Sequence, residues 1–185
     1  DLNLDVESVA WASPSSQEKF TSFVKEVKKQ MDRQNLGTLS IDVSPTDLIK
    51  QRVINLSAIE PFVDSLILMT YDFHYAGSAV TGPVAPVGGA KTVAEYDAET
   101  SLQQALKVLP AGKIDLGAPL YGYEWETTSE ATRSAVIPSS GAIASDGRVQ
   151  QLLQDCTNCT TTFDQTDQEP HTIYKDETTG TFHQL

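Results

Sequence analysis

The chain has 185 residues, 39% hydrophobic and 21% charged, proportions that suit a globular domain with a real core or part of a larger one. A formal net charge of −12 and a pI near 4.5 argue against nucleic acid or an anionic membrane as the main partner. No apolar run approaches the ~20 residues of a bilayer span, and no signal peptide is visible.

The opening Asp1-Leu2-Asn3-Leu4-Asp5-Val6-Glu7 alternates polar and apolar residues, which predicts a strand with Asn3, Asp5 and Glu7 on one face. On such a strand Asp5 and Glu7 lie about 6.6 Å apart along the chain. Paired acids at that spacing suit proton-transfer chemistry, because like charges make one of the two hold its proton. The chain starts without Met and inside this strand, so the expectation is a piece of a longer polypeptide.

Ser15-Ser16-Gln17-Glu18 reads as a capping box opening a helix, with Phe20, Phe23, Val24, Val27 and Met31 at helical spacing and Asn35-Leu36-Gly37 as its stop. A second strand follows over 38–44, closed by Pro45, and then a short helix within 46–60. Ser65 to Asp72 is an apolar run ending in polar groups, the pattern of a parallel strand covered on both faces. A loop rich in Gly, Pro, Ala and Val leads to a helix from about Val93 to Leu109, and a fourth strand spans Lys113 to Gly122. Strands alternating with helices predict an α/β fold with a parallel sheet.

Beyond residue 124 the chain turns rich in Thr, Ser, Asp and Gln, with a helix near 146–155 and a hairpin around 176–180. This tail reads as an insertion beside the sheet. Cys156-Thr157-Asn158-Cys159 lacks a second cysteine pair for zinc, although His171 and His183 offer imidazoles. A local disulfide or two idle thiols fits it better. Asn55-Leu56-Ser57 and Asn158-Cys159-Thr160 match glycosylation sequons, a pattern common by chance.

In parallel α/β folds function gathers at the carboxyl ends of strands. Strand after strand here finishes in an acid or a phenol: Asp5 and Glu7, then Tyr71 and Asp72, then Tyr121 and Tyr123. These residues resemble glycoside hydrolase family 18. Asp5-Val6-Glu7 matches the end of the family's D-G-x-D-x-D-x-E, with Asn3 at the middle aspartate and Asp1 where the signature has Gly. Met69-Thr70-Tyr71-Asp72 is similar to its M-x-Y-D, and Leu116 to Gly122 to its G-x-P-x-Y-G. Tyr123 stands where many chitinases carry Arg.

The resemblance implies part of a (β/α)8 TIM barrel, about strands four to seven, with an α+β insertion after strand seven. Residues 1–123 would belong to the C-terminal half of the catalytic barrel, and 124–185 to the insertion leading toward strand eight. The rest of the barrel would lie in the same parent polypeptide. The implied activity is retaining hydrolysis of β-1,4-linked N-acetylglucosamine polymers, chitin or peptidoglycan, by substrate-assisted catalysis. An endoglycosidase acting on N-glycans is a further enzymatic option.

In that scheme Glu7 would be the general acid, Asp5 would stabilise the acetamido N–H, and Tyr71 would donate to the acetamido oxygen. Asp72, Met69, Tyr121, Tyr123 and Asn3 would line the sugar site. Trp125 and Trp11 would fit either stacking on sugar faces or ordinary packing. No metal or organic cofactor is required. The alternative from another class is a non-catalytic, lectin-like member of the family. Such substrates occur outside the cell, so the expected location is secreted or cell-surface.

Overall fold

The computed structural model describes residues 1–7, 10–92 and 94–185. It resolves into two compact units: Asp1–Thr70 with Glu99–Gly117, and Tyr71–Ala98 with Ala118–Leu185.

The first unit is built on a parallel sheet of β1 (Leu2–Leu4), β2 (Leu39–Val43), β3 (Ser65–Met69) and β4 (Ile114–Gly117), in that order. Period-two alternation divides its faces. Leu39, Ile41, Val43, Leu66 and Leu68 point one way and are fully buried. They pack with Val24 and Met31 of α1 (Pro14–Gln34), Leu56 and Ile59 of α2 (Leu56–Ile59), and Ala105 of α3 (Ala98–Ala105). Each such side chain contributes about 1.5–3 kcal/mol through removal from water. Ser40, Asp42, Ser65, Ile67 and Met69 point the other way and are only half-buried. The Ser65 to Asp72 segment is therefore covered on one face, not two, and the strand stops at Met69.

Local chemistry moves several boundaries. Helix α1 starts at Pro14, not at a capping box of 15–18, because Ser13 takes the cap and accepts the Ser16 N–H while Pro14 supplies a preset φ at N1. Asn35 ends it in the left-handed region at φ 54°. Residues 46–60 form two pieces, a 3-10 turn at Pro45–Leu48 and the separately capped α2, whose Asn55 side chain accepts from Ala58 N. Val93, the expected start of the third helix, lies outside the described residues; the helix itself begins at Ala98.

The second unit carries an antiparallel sheet ordered β6-β5-β9-β8-β7, from β5 (Tyr121–Thr127), β6 (Ala142–Ser145), β7 (Thr160–Phe163), β8 (Pro170–Lys175) and β9 (Phe182–Gln184). The single strand expected over 113–122 is thus two strands of different sheets, with Pro119 lying between them. Helix α4 (Asp146–Asp155) is capped by Ser145, and the β8–β9 hairpin turns at Asp176 to Thr181 with Gly180 at φ +76°. Cys156 and Cys159 are joined in a disulfide.

Candidate active site

In the first unit, in-register pairing of Asn3 with Ser40 sets the geometry of the β1 terminus. The Asn3 Nδ2 donates to Ser40 Oγ at 3.0 Å and to Asp42 Oδ1 at 2.8 Å. The ladder ends with Leu4 opposite Ile41, so Asp5 and Glu7 sit just past the strand, not within it, and both side chains are exposed. Met69 closes β3 opposite Gly117, and the next residue, Thr70, donates its hydroxyl to the Gly117 carbonyl at 2.7 Å. That bond ties the carboxyl ends of β3 and β4 together.

In the second unit the structure brings Asp72, Tyr121 and Tyr123 onto one point. Asp72 adopts φ 57°, a left-handed conformation that aspartate tolerates better than most residues. Its Oδ1 accepts the Tyr121 hydroxyl at 2.8 Å and the Tyr123 hydroxyl at 3.0 Å. Alternation along β5 puts both phenols on one face, where the rings meet edge to face at 5.7 Å. Burial and the adjacent Asp72 carboxylate push both phenols above the ordinary tyrosine range, so they remain donors at any working pH.

Tyr71 begins the second unit and is half-buried. Trp125 continues the β5 ladder 5.8 Å from Tyr123, but it is 2% exposed and its Nε1 donates to the Tyr75 carbonyl at 3.0 Å. That side chain packs as a buried anchor for the loop after Asp72. Trp11 is 67% exposed. Tyr121, Tyr123 and Trp125 border a cavity of about 870 Å³, whose wall also carries Arg133, Asp164, Asp167, Glu169 and His171.

Two groups escaped the sequence reading. Asp42, which holds Asn3, was accessible to it, since alternation in β2 places Ser40 and Asp42 on one face. Glu124 was not. It points away from the tyrosines, where Oε1 takes the Tyr174 hydroxyl at 2.6 Å, Arg148 Nη2 at 2.9 Å and His183 Nδ1 at 2.9 Å, while Oε2 takes Arg148 Nε at 3.0 Å. Burial works to raise the Glu124 pKa, but the hydrogen bonds from Arg148 and Tyr174 outweigh it and hold the carboxyl below its usual range. Burial and that same carboxylate push Tyr174 up to about 12. Those partners lie 24 to 59 residues away in sequence, and no local pattern announces them.

Comparison with known proteins matches residues 1–184 to the family model described as Glycosyl hydrolases family 18. The cortical fragment-lytic enzyme of Bacillus subtilis (strain 168) is 28% identical over 182 residues, which covers 95% of this chain and 38% of the relative. The crystal structure of the Bacillus cereus spore cortex-lytic enzyme SleL superposes with a TM-score of 0.74 at 26% identity, covering 98% of this chain and 37% of the other. The Ostrinia furnacalis group IV chitinase gives a TM-score of 0.79 at 20% identity over 98% of this chain and 53% of its own, a likeness of fold. The chain thus spans between about a third and a half of the length of these relatives.

Proposed function

The chain belongs to glycosyl hydrolases family 18 and forms part of that family's (β/α)8 barrel; from that premise we propose that the full-length protein is a retaining glycoside hydrolase cleaving β-1,4-linked N-acetylglucosamine polymers. The observation that carries the reading is the Asp72 carboxylate gripped by two tyrosine hydroxyls at the exit of the Met69-Thr70-Tyr71-Asp72 segment. A carboxylate held this way keeps its acceptor geometry fixed before a sugar arrives, which is how a site orients a flexible glycan at little cost.

In this reading Glu7 protonates the glycosidic oxygen as the substrate's own acetamido oxygen bonds to the anomeric carbon, and the glycosidic C–O bond breaks. Water then adds to that carbon, returning its proton to Glu7 and restoring the acetamido group with net retention. Asp5 stabilises the acetamido N–H, and Tyr71 donates to the acetamido oxygen. Asp72, Met69, Tyr121 and Tyr123 hold the ring, and Asn3 stands beside Asp5 where other members have a third acid. Trp125 supports Tyr123 from behind, as its burial suggests. The remaining barrel strands belong to the same polypeptide, with these residues supplying about strands four to seven, and the enzyme works outside the cell or at its surface, where such polymers lie. The likeness to cortex-lytic enzymes supports peptidoglycan beside chitin as substrate.

The test is hydrolysis of chitooligosaccharides and of purified peptidoglycan by the full-length protein, wild type against Glu7→Gln. The expected outcome is cleavage of one polymer that falls at least ~10²-fold in the variant, since Gln keeps the shape and loses the transferable proton. Binding without cleavage by the wild type would replace the hydrolase with a lectin-like protein.

A further inference from the structure

Within the first unit, Asp42 is a carboxylate with one hydrogen-bond partner. It lies on the half-buried face of β2, and its in-register neighbour on β3 is Ile67, whose side chain offers no hydrogen bond. Its Oδ1 accepts the Asn3 Nδ2 at 2.8 Å, and none of the ion pairs found among the described residues includes it. Hydrocarbon packing gives no reason for an acid at this position, since a charge that is partly withdrawn from water costs free energy.

The Asn3 side chain has two hydrogens and one acceptor oxygen, and both hydrogens are taken, one by Asp42 and one by Ser40 Oγ at 3.0 Å. The Ser40 hydroxyl sends its own hydrogen to the Leu2 carbonyl at 3.5 Å. A serine hydroxyl can give or take a hydrogen, whereas a carboxylate only takes one. Asp42 therefore decides which way the amide faces. Turned round, Asn3 would set its carbonyl oxygen against a carboxylate with no hydrogen between them. As it stands, Oδ1 is the only hydrogen-bonding group of Asn3 left without a partner among the described residues. The sheet sets this arrangement level with Asp5. The last rung between β1 and β2 pairs Leu4 with Ile41, so the next residues along the two strands are Asp5 and Asp42. The side chains of Asn3 and Asp42 thus offer a carbonyl oxygen and a carboxylate, neither with a hydrogen that Asp5 could accept.

From this we propose that Asp42 is a positioning residue. By fixing the Asn3 amide with its hydrogens turned to β2, it stops Asn3 from capturing the Asp5 carboxylate and leaves Asp5 available to the acetamido N–H of the substrate. The proposal rests on the glycan-hydrolase reading above and adds a residue to its machinery. A free Asn3 N–H would give Asp5 a charge-assisted hydrogen bond in competition with the substrate. The like charge of Asp42 acts in the same direction, because two carboxylates at one level of a sheet repel each other.

The test uses the full-length protein as wild type, Asp42→Asn, Asn3→Asp, and the exchange that combines Asn3→Asp with Asp42→Asn. Initial rates on the polymer that the wild type cleaves give kcat and KM, and calorimetric binding of chitotetraose in a Glu7→Gln background gives affinity without turnover. Asp42→Asn leaves the Asn3 amide free to turn, and Asn3→Asp sets two carboxylates against each other. Each single change should lower kcat about 10- to 10²-fold, as expected when a catalytic group is held out of place. KM and Kd should move less than about threefold, because the interaction lost is one made in the transition state. The exchange puts the carboxylate on β1 and the amide on β2, so the bond between them reforms and kcat should recover at least about tenfold over Asn3→Asp alone. Two independent losses of fold could not produce that recovery. Losses that multiply in the exchange, or an unchanged kcat in Asp42→Asn, would overturn the proposal while cleavage that depends on Glu7 kept the hydrolase reading. A wild type that binds without cleaving would overturn both.

Discussion

The two units of this chain are held together by different physics. In the first, five fully buried aliphatic side chains of β2 and β3 meet the apolar faces of helices, and the core is almost purely hydrocarbon. In the second, polar groups at the centre of the antiparallel sheet are buried in completed hydrogen-bond sets. Gln184 has no exposed surface; its Nε2 donates to Thr127 Oγ1 and to the carbonyls of Ser129 and Ala131, while its Oε1 accepts from Thr81. Beside the sheet, just before β8, the half-buried Glu169 spans the backbone N–H groups of Val84 and Ala85 at 2.8 and 2.6 Å. Hydrocarbon burial is non-directional and forgiving of small shifts, whereas a buried polar set is stable only when complete.

The sharpest way to break the comparison is to cut into the first unit. Leu68→Ala removes a fully buried side chain from β3 and should cost about 2–5 kcal/mol. The measurement is urea unfolding together with hydrogen exchange, and the amides of β2 and β3 should lose protection more than those of β5 and β9. Uniform loss across both sheets would mean that the units do not differ in the way their cores suggest.

Next in size is Gln184→Ala. The substitution removes little apolar surface but leaves the Thr81 hydroxyl without its acceptor, while the Ser129 and Ala131 carbonyls keep the Thr127 and Ser134 hydroxyls as donors, so the expected cost is about 1–3 kcal/mol. A loss nearer 1 than 3 kcal/mol would show that water enters the sheet and completes the set. Replacing Cys156 and Cys159 by Ser should matter less, at most about 2 kcal/mol, because the loop they close has a sequence separation of only 3. Thermal unfolding with and without reductant checks it.

The same contrast explains what was legible in the sequence. Hydrophobic periodicity reports faces, so α1, β2 and β3 are legible from spacing, but the continuous apolar run of β3 hides that only one of its faces is fully buried. Helix α4 is legible near 146–155 as well, and the structure shows the local chemistry behind it, a Ser145 cap and an acidic first turn. Asp72, Tyr121 and Tyr123 were legible as residues, though not that both phenols would meet one oxygen. The strand over 113–122 failed at Pro119, since alternation alone cannot tell that one strand ends and another enters a different sheet. The Gln184 and Glu124 sets were invisible because each joins segments separated by dozens of residues.

Glu124 gives the smallest and most selective test. Its Arg148, Tyr174 and His183 partners hold the carboxyl below its ordinary value against the opposing effect of burial. A depressed folded-state pKa means that the unfolded chain binds its proton first as pH falls. The stability due to this group is therefore complete above the ordinary carboxyl range and is lost as pH drops through the lowered folded value. Glu124→Gln keeps the shape and one acceptor, so at pH 7 it should cost about 1 kcal/mol. The gap between wild type and variant should narrow as pH falls below the ordinary carboxyl range and close once it has passed the lowered folded value, where the wild type also loses its charge-assisted bonds. Stability curves at pH 7 and at the acid end of the range over which the protein stays folded decide it. A gap that persists at the lower pH would mean that Glu124 acts through packing and geometry rather than charge, and the second unit would then owe less to its ionised groups than to its neutral hydrogen bonds.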